Sequence, residues 1–251
     1  MNKLKAMLPM NSLIKAELFK VPKVHFVISI VVAVIISEAL AIGLYTYNLH
    51  FSDVEGTALR YLIYAIAWFI PVFYLLYGIF SAKLVSTEYE NNMWSVLLVS
   101  QKSKNTIIFA KFLVLLMLMV LTTVIFTVLH VVMSLLVTGA IPQLMTLLYV
   151  MFGVFIGTLA MQAIQFFIAL VIENRVYVMA LGMLFAIVSL LMQSETMPFK
   201  IPEHIINAKH ILYQNNVMFF DTSFFVYGSY SVFVFVLVLI VSSAYINRKE
   251  F

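Results

Sequence analysis

Residues 107–137 read IIFAKFLVLLMLMVLTTVIFTVLHVVMSLLV, a 31-residue run with one lysine (Lys111), one histidine (His130) and no acid. Coiled as an α-helix it would extend about 46 Å at about 1.5 Å per residue, more than the roughly 30 Å hydrocarbon core of a bilayer. Backbone polar groups in lipid must be satisfied internally, which leaves helices or closed barrels, and a continuous rather than alternating apolar pattern selects the helix. The run therefore predicts a membrane span that is tilted or projects beyond the hydrocarbon.

Outward from it, five further apolar runs of bilayer length occupy residues 24–47, 59–82, 144–172, 176–193 and 227–246, the fifth span being the shortest. The whole chain of 251 residues is 64% hydrophobic and 10% charged, with mean hydropathy +1.06. A soluble domain carries about 25% charged residues. Six spans use about 120 residues at roughly 20 each and leave no room for a large soluble domain. The expected fold class is an all-α membrane protein of six transmembrane helices, forming a single transmembrane domain over 1–251.

Six spans place both termini on one side. Twelve of the 15 lysines and arginines then fall on that side, with only Arg60, Lys200 and Lys209 opposite. By the positive-inside rule the termini are cytoplasmic. Ala39-Leu40-Ala41 has the small-x-small form of a signal cleavage site, but the apolar run continues through it and 23 residues precede the run, so the first span is read as retained.

Residues 1–23 carry Met10, Ile14, Leu18 and Val21 on one helical stripe with Lys15 and Lys20 elsewhere, the pattern of an amphipathic interfacial helix. Residues 83–106 are the cytoplasmic loop; Glu88, Glu90, Trp94, Leu97-Leu98, Lys102 and Lys104 mix acid, aromatic, apolar and basic chemistry as a partner surface does, though a solvated loop with balanced charges would read the same. Residues 194–226 form the longest outer segment. Pro202 followed by Ile205, Lys209 and Leu212 at helical spacing predicts short helices that lie in or re-enter the outer leaflet. His204 and His210, six apart, do not share a helix face and make a poor metal pair.

Within the spans, Glu38 is the single deep acid. It has three readings: a proton or cation relay, a contact for a cationic substrate, or a neutral or water-exposed group near the outer mouth. Thr158, Gln162 and Gln165 share one face of the fourth span and suit helix-to-helix hydrogen bonding or a polar substrate path. Gly153 and Gly157 allow close helix approach. Pro71 is expected to kink the second span or break its hydrogen-bond ladder. His25 and His130 read as packed or interfacial.

No P-loop, H-E-x-x-H or Gly-x-Ser-x-Gly motif is present, and zero cysteines exclude disulfides and thiolate sites. The expectation is a non-enzymatic membrane subunit that binds no cofactor and no metal; the small net charge of +4 gives no reason to expect nucleic acid.

Glu88-Tyr89-Glu90-Asn91, Leu97-Leu98, Ser103-Lys104 and Ala110-Lys111 stand in register with a Glu-x-Glu-x-Gly-Thr, Leu-Leu, Pro-x-Ser-Arg, Ala/Gly-Lys pattern, with Asn92-Met93, Gln101 and Lys104 as departures. In this the chain resembles the ABC transporter type 2 permease family, and the order of its segments is similar along nearly its whole length. The resemblance implies that Glu88, Glu90, Trp94, Lys102 and Lys104, with a second contact at Glu173, Asn174 and Arg175, couple to a separate ATPase that binds ATP and Mg. It also implies two ATPase subunits and a second permease, identical or related. The style is closest to permeases of bacterial exporters for lantibiotic immunity, bacitracin resistance or amphipathic-peptide secretion, in the bacterial plasma membrane. Two other classes remain open at this point: an ion-coupled secondary carrier using Glu38, and a membrane scaffold or sensor. The substrate-path candidates are Glu38, Thr158, Gln162 and Gln165.

Overall fold

The computed structural model describes residues 10–20, 23–51, 57–90, 104–191, 198–214 and 217–248. Among these every regular element is helical: α1 (Met10–Lys20), α2 (Lys23–Phe51), α3 (Ala58–Glu90), α4 (Lys104–Thr138), α5 (Leu144–Val171), α6 (Arg175–Leu191), a 3-10 turn (Pro198–Lys200), α7 (Ile201–Ile205), α8 (Ala208–Gln214) and α9 (Thr222–Arg248). The protein is an all-α membrane protein. α2, α3, α4, α5 and α9 are long and apolar enough to cross a bilayer. α6 has 17 residues, at the lower limit of about 17 for a span.

Each expected span becomes a helix, and several outgrow their apolar runs. α3 has 33 residues and α4 has 35, so both protrude beyond the hydrocarbon. This corrects the loop expected over 83–106: residues 83–90 continue α3 and 104–106 open α4, while Trp94, Lys102 and the rest of 91–103 lie outside the described residues. The helix continues because its polar end is held by tertiary partners, described below, rather than by water. Pro71 sits inside α3 without breaking it.

Helix ends follow local chemistry. Thr57, Asn174 and Asp221 accept backbone N–H bonds from Arg60, Val176 and Phe224 at 3.2, 2.9 and 2.9 Å, capping α3, α6 and α9. Past the end of α4, Gly139 takes φ 71°, a left-handed turn that a side chain resists. Asn207 at φ 51° splits the single helix that the Ile205, Lys209, Leu212 spacing could have formed into α7 and α8; its side chain donates to Asp221 at 3.1 Å.

Consecutive spans run antiparallel, so α2, α4 and α6 rise from the end that carries α1 (the proximal end) and α3, α5 and α9 descend from the distal end. α3 is the central and most buried span, packed on α2, α4, α5 and most extensively on α6. The α3–α6 crossing is glycine on glycine: a Cβ on Gly78 would stand 2.7 Å from the Gly182 Cα. Along the α3 seam an aromatic column runs from Phe69 through Phe73, Tyr77 and Phe80 to Phe26 of α2.

The segment between α6 and α9 enters the bundle. Gly157 lies about 20 Å from either end of α5, and its missing Cβ would stand 2.6 Å from the Pro202 Cα; Gly153 likewise meets Ile206 and Ile205. Gly153 and Gly157 thus admit a short re-entrant helix rather than another span. Tyr74, midway along α3, donates its hydroxyl to the Phe199 carbonyl at 3.2 Å, and Ser231 of α9 donates to the Ile156 carbonyl at 2.7 Å, closing the same layer.

Candidate functional site

The proximal end is assembled around one buried cation. Lys111, expected on the cytoplasmic face, is 1% exposed, and all three protons of its ammonium are used: Glu17 Oε2 at 2.8 Å, Glu88 Oε1 at 2.8 Å and the Leu84 carbonyl at 2.9 Å. These partners come from α1, from the last turn of α3 and from one turn above it. A buried ammonium is tolerated only when paired and hydrogen-bonded, and here the pairing fixes three helices to one another. α1 follows its apolar stripe: Ile14 and Leu18 pack on the core, Glu17 turns inward between them, and Lys15 faces out. Val21 and the Met10 side chain lie outside the described residues.

Glu88 is therefore 1% exposed, a support of the α3 end rather than a surface group. Beside it, Tyr89 donates to the Leu170 carbonyl at 2.7 Å, satisfying one of the open carbonyls in the last turn of α5. That bond draws the α5–α6 turn toward the same end, where Glu173 and Arg175 are both exposed. Lys104 is half-exposed at the first residue of α4. Glu90 is the last residue of α3, and nothing of its side chain is described. The expected coupling residues that the structure describes thus share one end of the bundle, with Lys111 at its centre. The sequence signal for Lys111 was an isolated cation within an apolar run; its ranking among topogenic charges hid that.

In the distal half, Glu38 is 1% exposed, which rules out the water-exposed reading for this conformation. Tyr61 donates to its Oε2 at 2.6 Å, and His130 Nδ1 lies 3.0 Å from its Oε1. His130 is packed, as expected, yet also paired, which the sequence did not reveal.

On α5 the Thr158 hydroxyl turns back to the Val154 carbonyl at 2.9 Å, Gln165 Nε2 donates to the Tyr74 carbonyl of α3 at 2.8 Å, and Gln162 is 1% exposed with neither amide atom hydrogen-bonded among the described residues. One of the three bridges helices, one is self-satisfied, and one is a buried amide without a partner among the described residues.

Between α4 and α5 an open apolar groove of about 390 Å³ is lined by Val124, Val128, Leu148, Phe152 and Phe155, with the Thr123 and Thr127 hydroxyls bonded back to their own helix. It shares Leu148 and Phe152 with a second groove of about 520 Å³ that reaches Phe219 and Phe220.

Compared with known proteins, the chain matches no curated relative. The model of the family described as "ABC-2 family transporter protein" matches residues 13–189, from α1 to the last turns of α6. That stretch holds the Glu17, Glu88 and Lys111 cluster, Glu38 and its partners, and about seven-tenths of the 251 residues, so the chain belongs to the ABC-2 transporter family and is a membrane-spanning permease.

Proposed function

We propose that this permease exports an amphipathic or antimicrobial peptide, or a similarly hydrophobic substrate, from the membrane or cytoplasm of a bacterial cell. Family membership implies an ABC ATPase partner. In the proposal two such ATPases, which bind ATP and Mg, act on this chain and on a second permease, identical or related, with both termini cytoplasmic. The observation that carries the reading is the Lys111 cluster. It joins α1, α3 and α4 into one lever directly beside 91–103, so a force applied to that segment is delivered to three helices together. Buried ion pairs resist separation because each partner would be left charged and unsolvated. Glu173 and Arg175 give the same end a second contact.

The grooves along α4, α5 and the Phe219-Phe220 turn support an apolar substrate path that opens toward lipid; Gln162 and Gln165, buried on the same helix α5, remain candidates for polar contacts along it.

The experiment is ATP hydrolysis by the chain reconstituted with the ATPase encoded beside it, with and without amphipathic peptides. Peptide-stimulated turnover that is lost on Trp94→Ala or on substitution of Lys102 and Lys104 is the expected result. Basal turnover without peptide stimulation removes the substrate class, and no association with any ATPase removes the coupling scheme and returns the ion-coupled carrier.

A further inference from the structure

Three titratable side chains from three helices meet inside the distal half of the bundle, remote from the Lys111 lever. Glu38 of α2 receives the Tyr61 hydroxyl of α3 at one oxygen and faces His130 Nδ1 of α4 at the other, at 2.6 and 3.0 Å. The His130 ring is stacked between Tyr61, with centroids 5.1 Å apart at 19°, and Phe126, 5.7 Å apart at 13°. Held between those faces, the ring keeps Nδ1 on Glu38. A carboxylate opposite Nδ1 fixes the proton on that nitrogen, so the ring changes charge at Nε2. That atom is buried and has no hydrogen-bond partner among the described residues.

We infer that Glu38, Tyr61 and His130 form a proton-binding site, with His130 Nε2 the atom that takes the proton, and that the occupied site holds α2, α3 and α4 together. With the proton bound, carboxylate and imidazolium cancel and Tyr61 remains a neutral donor. With the proton gone, a net negative charge is left on Glu38 among Tyr61, Phe126 and the Phe69 ring stacked on it at 4.0 Å. An unbalanced charge at that depth is strongly disfavoured, and hydrating it requires α2 to draw away from α4. Proton release and opening of the distal half are therefore one event.

Other titratable groups set a background without supplying this proton. The Tyr45 ring lies 5.3 Å from the Tyr61 ring and 6.3 Å from the Tyr64 ring, and Arg60 sits on the first turn of α3. α5 carries no charged residue or histidine. The charges of α1, α6 and α9 sit toward the proximal end, and α8, packed on α3, carries Lys209 and His210.

The test needs no ATPase and is independent of the transport reading. The chain has no cysteine, so spin labels at Leu49→Cys and Leu136→Cys, both exposed and distal to the site, report the α2–α4 separation in nanodiscs. Across a pH series the wild-type distance should lengthen as pH rises. His130→Asn, which keeps a donor toward Glu38 but cannot take a proton, should show no such change, and Glu38→Gln should also be flat. A wild-type distance that ignores pH, or a His130→Asn response equal to wild type, overturns the site. Nitrogen-15 NMR of the five histidines, with the other four substituted in turn for assignment, gives a second readout. The expected record is an Nδ1–H tautomer at high pH that gains a proton at Nε2 at low pH; a His130 ring that stays neutral throughout overturns the inference without any variant at the site.

Discussion

Lys111 of α4 and Glu88 of α3 are joined at 2.8 Å in a site where each side chain is 1% exposed, so the two helices that flank residues 91–103 cannot move apart without unpairing a buried charge. Glu17 of α1 completes the site at the same distance. A helix outside the run of spans is thereby tied to the same lever.

Lys111→Met leaves two buried carboxylates without their cation. The expected loss is about 3–5 kcal/mol of stability. Thermal unfolding in nanodiscs would read it as a clear fall in Tm. The triple change Glu17→Gln, Lys111→Met, Glu88→Gln should recover most of that Tm while leaving ATPase coupling impaired; recovery of both would show that the ions serve stability alone.

The α3–α6 crossing depends on having no side chain at either position. Gly182→Ala would place a Cβ 2.8 Å from the Gly78 Cα, a clash with backbone that cannot rotate away. A cost of about 1–3 kcal/mol is expected. Gly43→Ala on α2 meets nothing within 4 Å and should be neutral or stabilising by up to about 1 kcal/mol. Comparing the folded fraction of the two variants after detergent extraction checks the crossing.

Gly157→Ala acts on the re-entrant segment instead. Its Cβ meets the Pro202 backbone at 2.6 Å, so α7 should be displaced while the spans keep their packing. Hydrogen exchange should accelerate over 198–214 by tenfold or more, with little change in α3 and α4. Uniform acceleration through the bundle would mean that α7 is structural for the whole fold and not a separable element.

Gln162 carries two amide atoms that find no partner among the described residues. Gln162→Leu should therefore leave Tm unchanged or raise it, since replacing an unpaired buried polar group by an apolar one removes a desolvation cost of about 1–3 kcal/mol. Peptide-stimulated ATP hydrolysis should nonetheless fall if the amide lines the path. Gln165→Leu, which breaks a bond to the Tyr74 carbonyl, should lower Tm. The contrast between the two neighbours separates a path role from a packing role.

The absence of cysteine makes sidedness directly measurable. In intact cells an impermeant maleimide should label Lys209→Cys of α8, and should reach Arg175→Cys and Arg248→Cys only after lysis. The reverse pattern would invert the orientation read from the lysine and arginine count.

The membrane class, the succession of helices, a helix before the first span and the short helices after Pro202 were all legible in the sequence, because each depends on what lies within about 20 consecutive residues. Apolar length sets a span, a 3.6-residue stripe sets a helix with one packed face, and Asn174 and Asp221 set helix starts by bonding to their own neighbours. The candidate site was legible in part: Glu38 was named as a charge inside a span and Glu88 from the mixed chemistry of its segment and the family resemblance, while their roles were read as lone acid and surface contact.

What only the tertiary structure decided is which side chains meet. Lys111 and Glu17 are 94 residues apart, His130 and Glu38 are 92 apart, and Tyr74 reaches Phe199 across 125. Their pairing depends on the rotation and depth of whole helices against one another, which hydropathy leaves free. Small residues such as Gly78, Gly157 and Gly182 fix that rotation and depth only where two backbones can approach, a condition that exists after the helices have packed and has no counterpart along the chain.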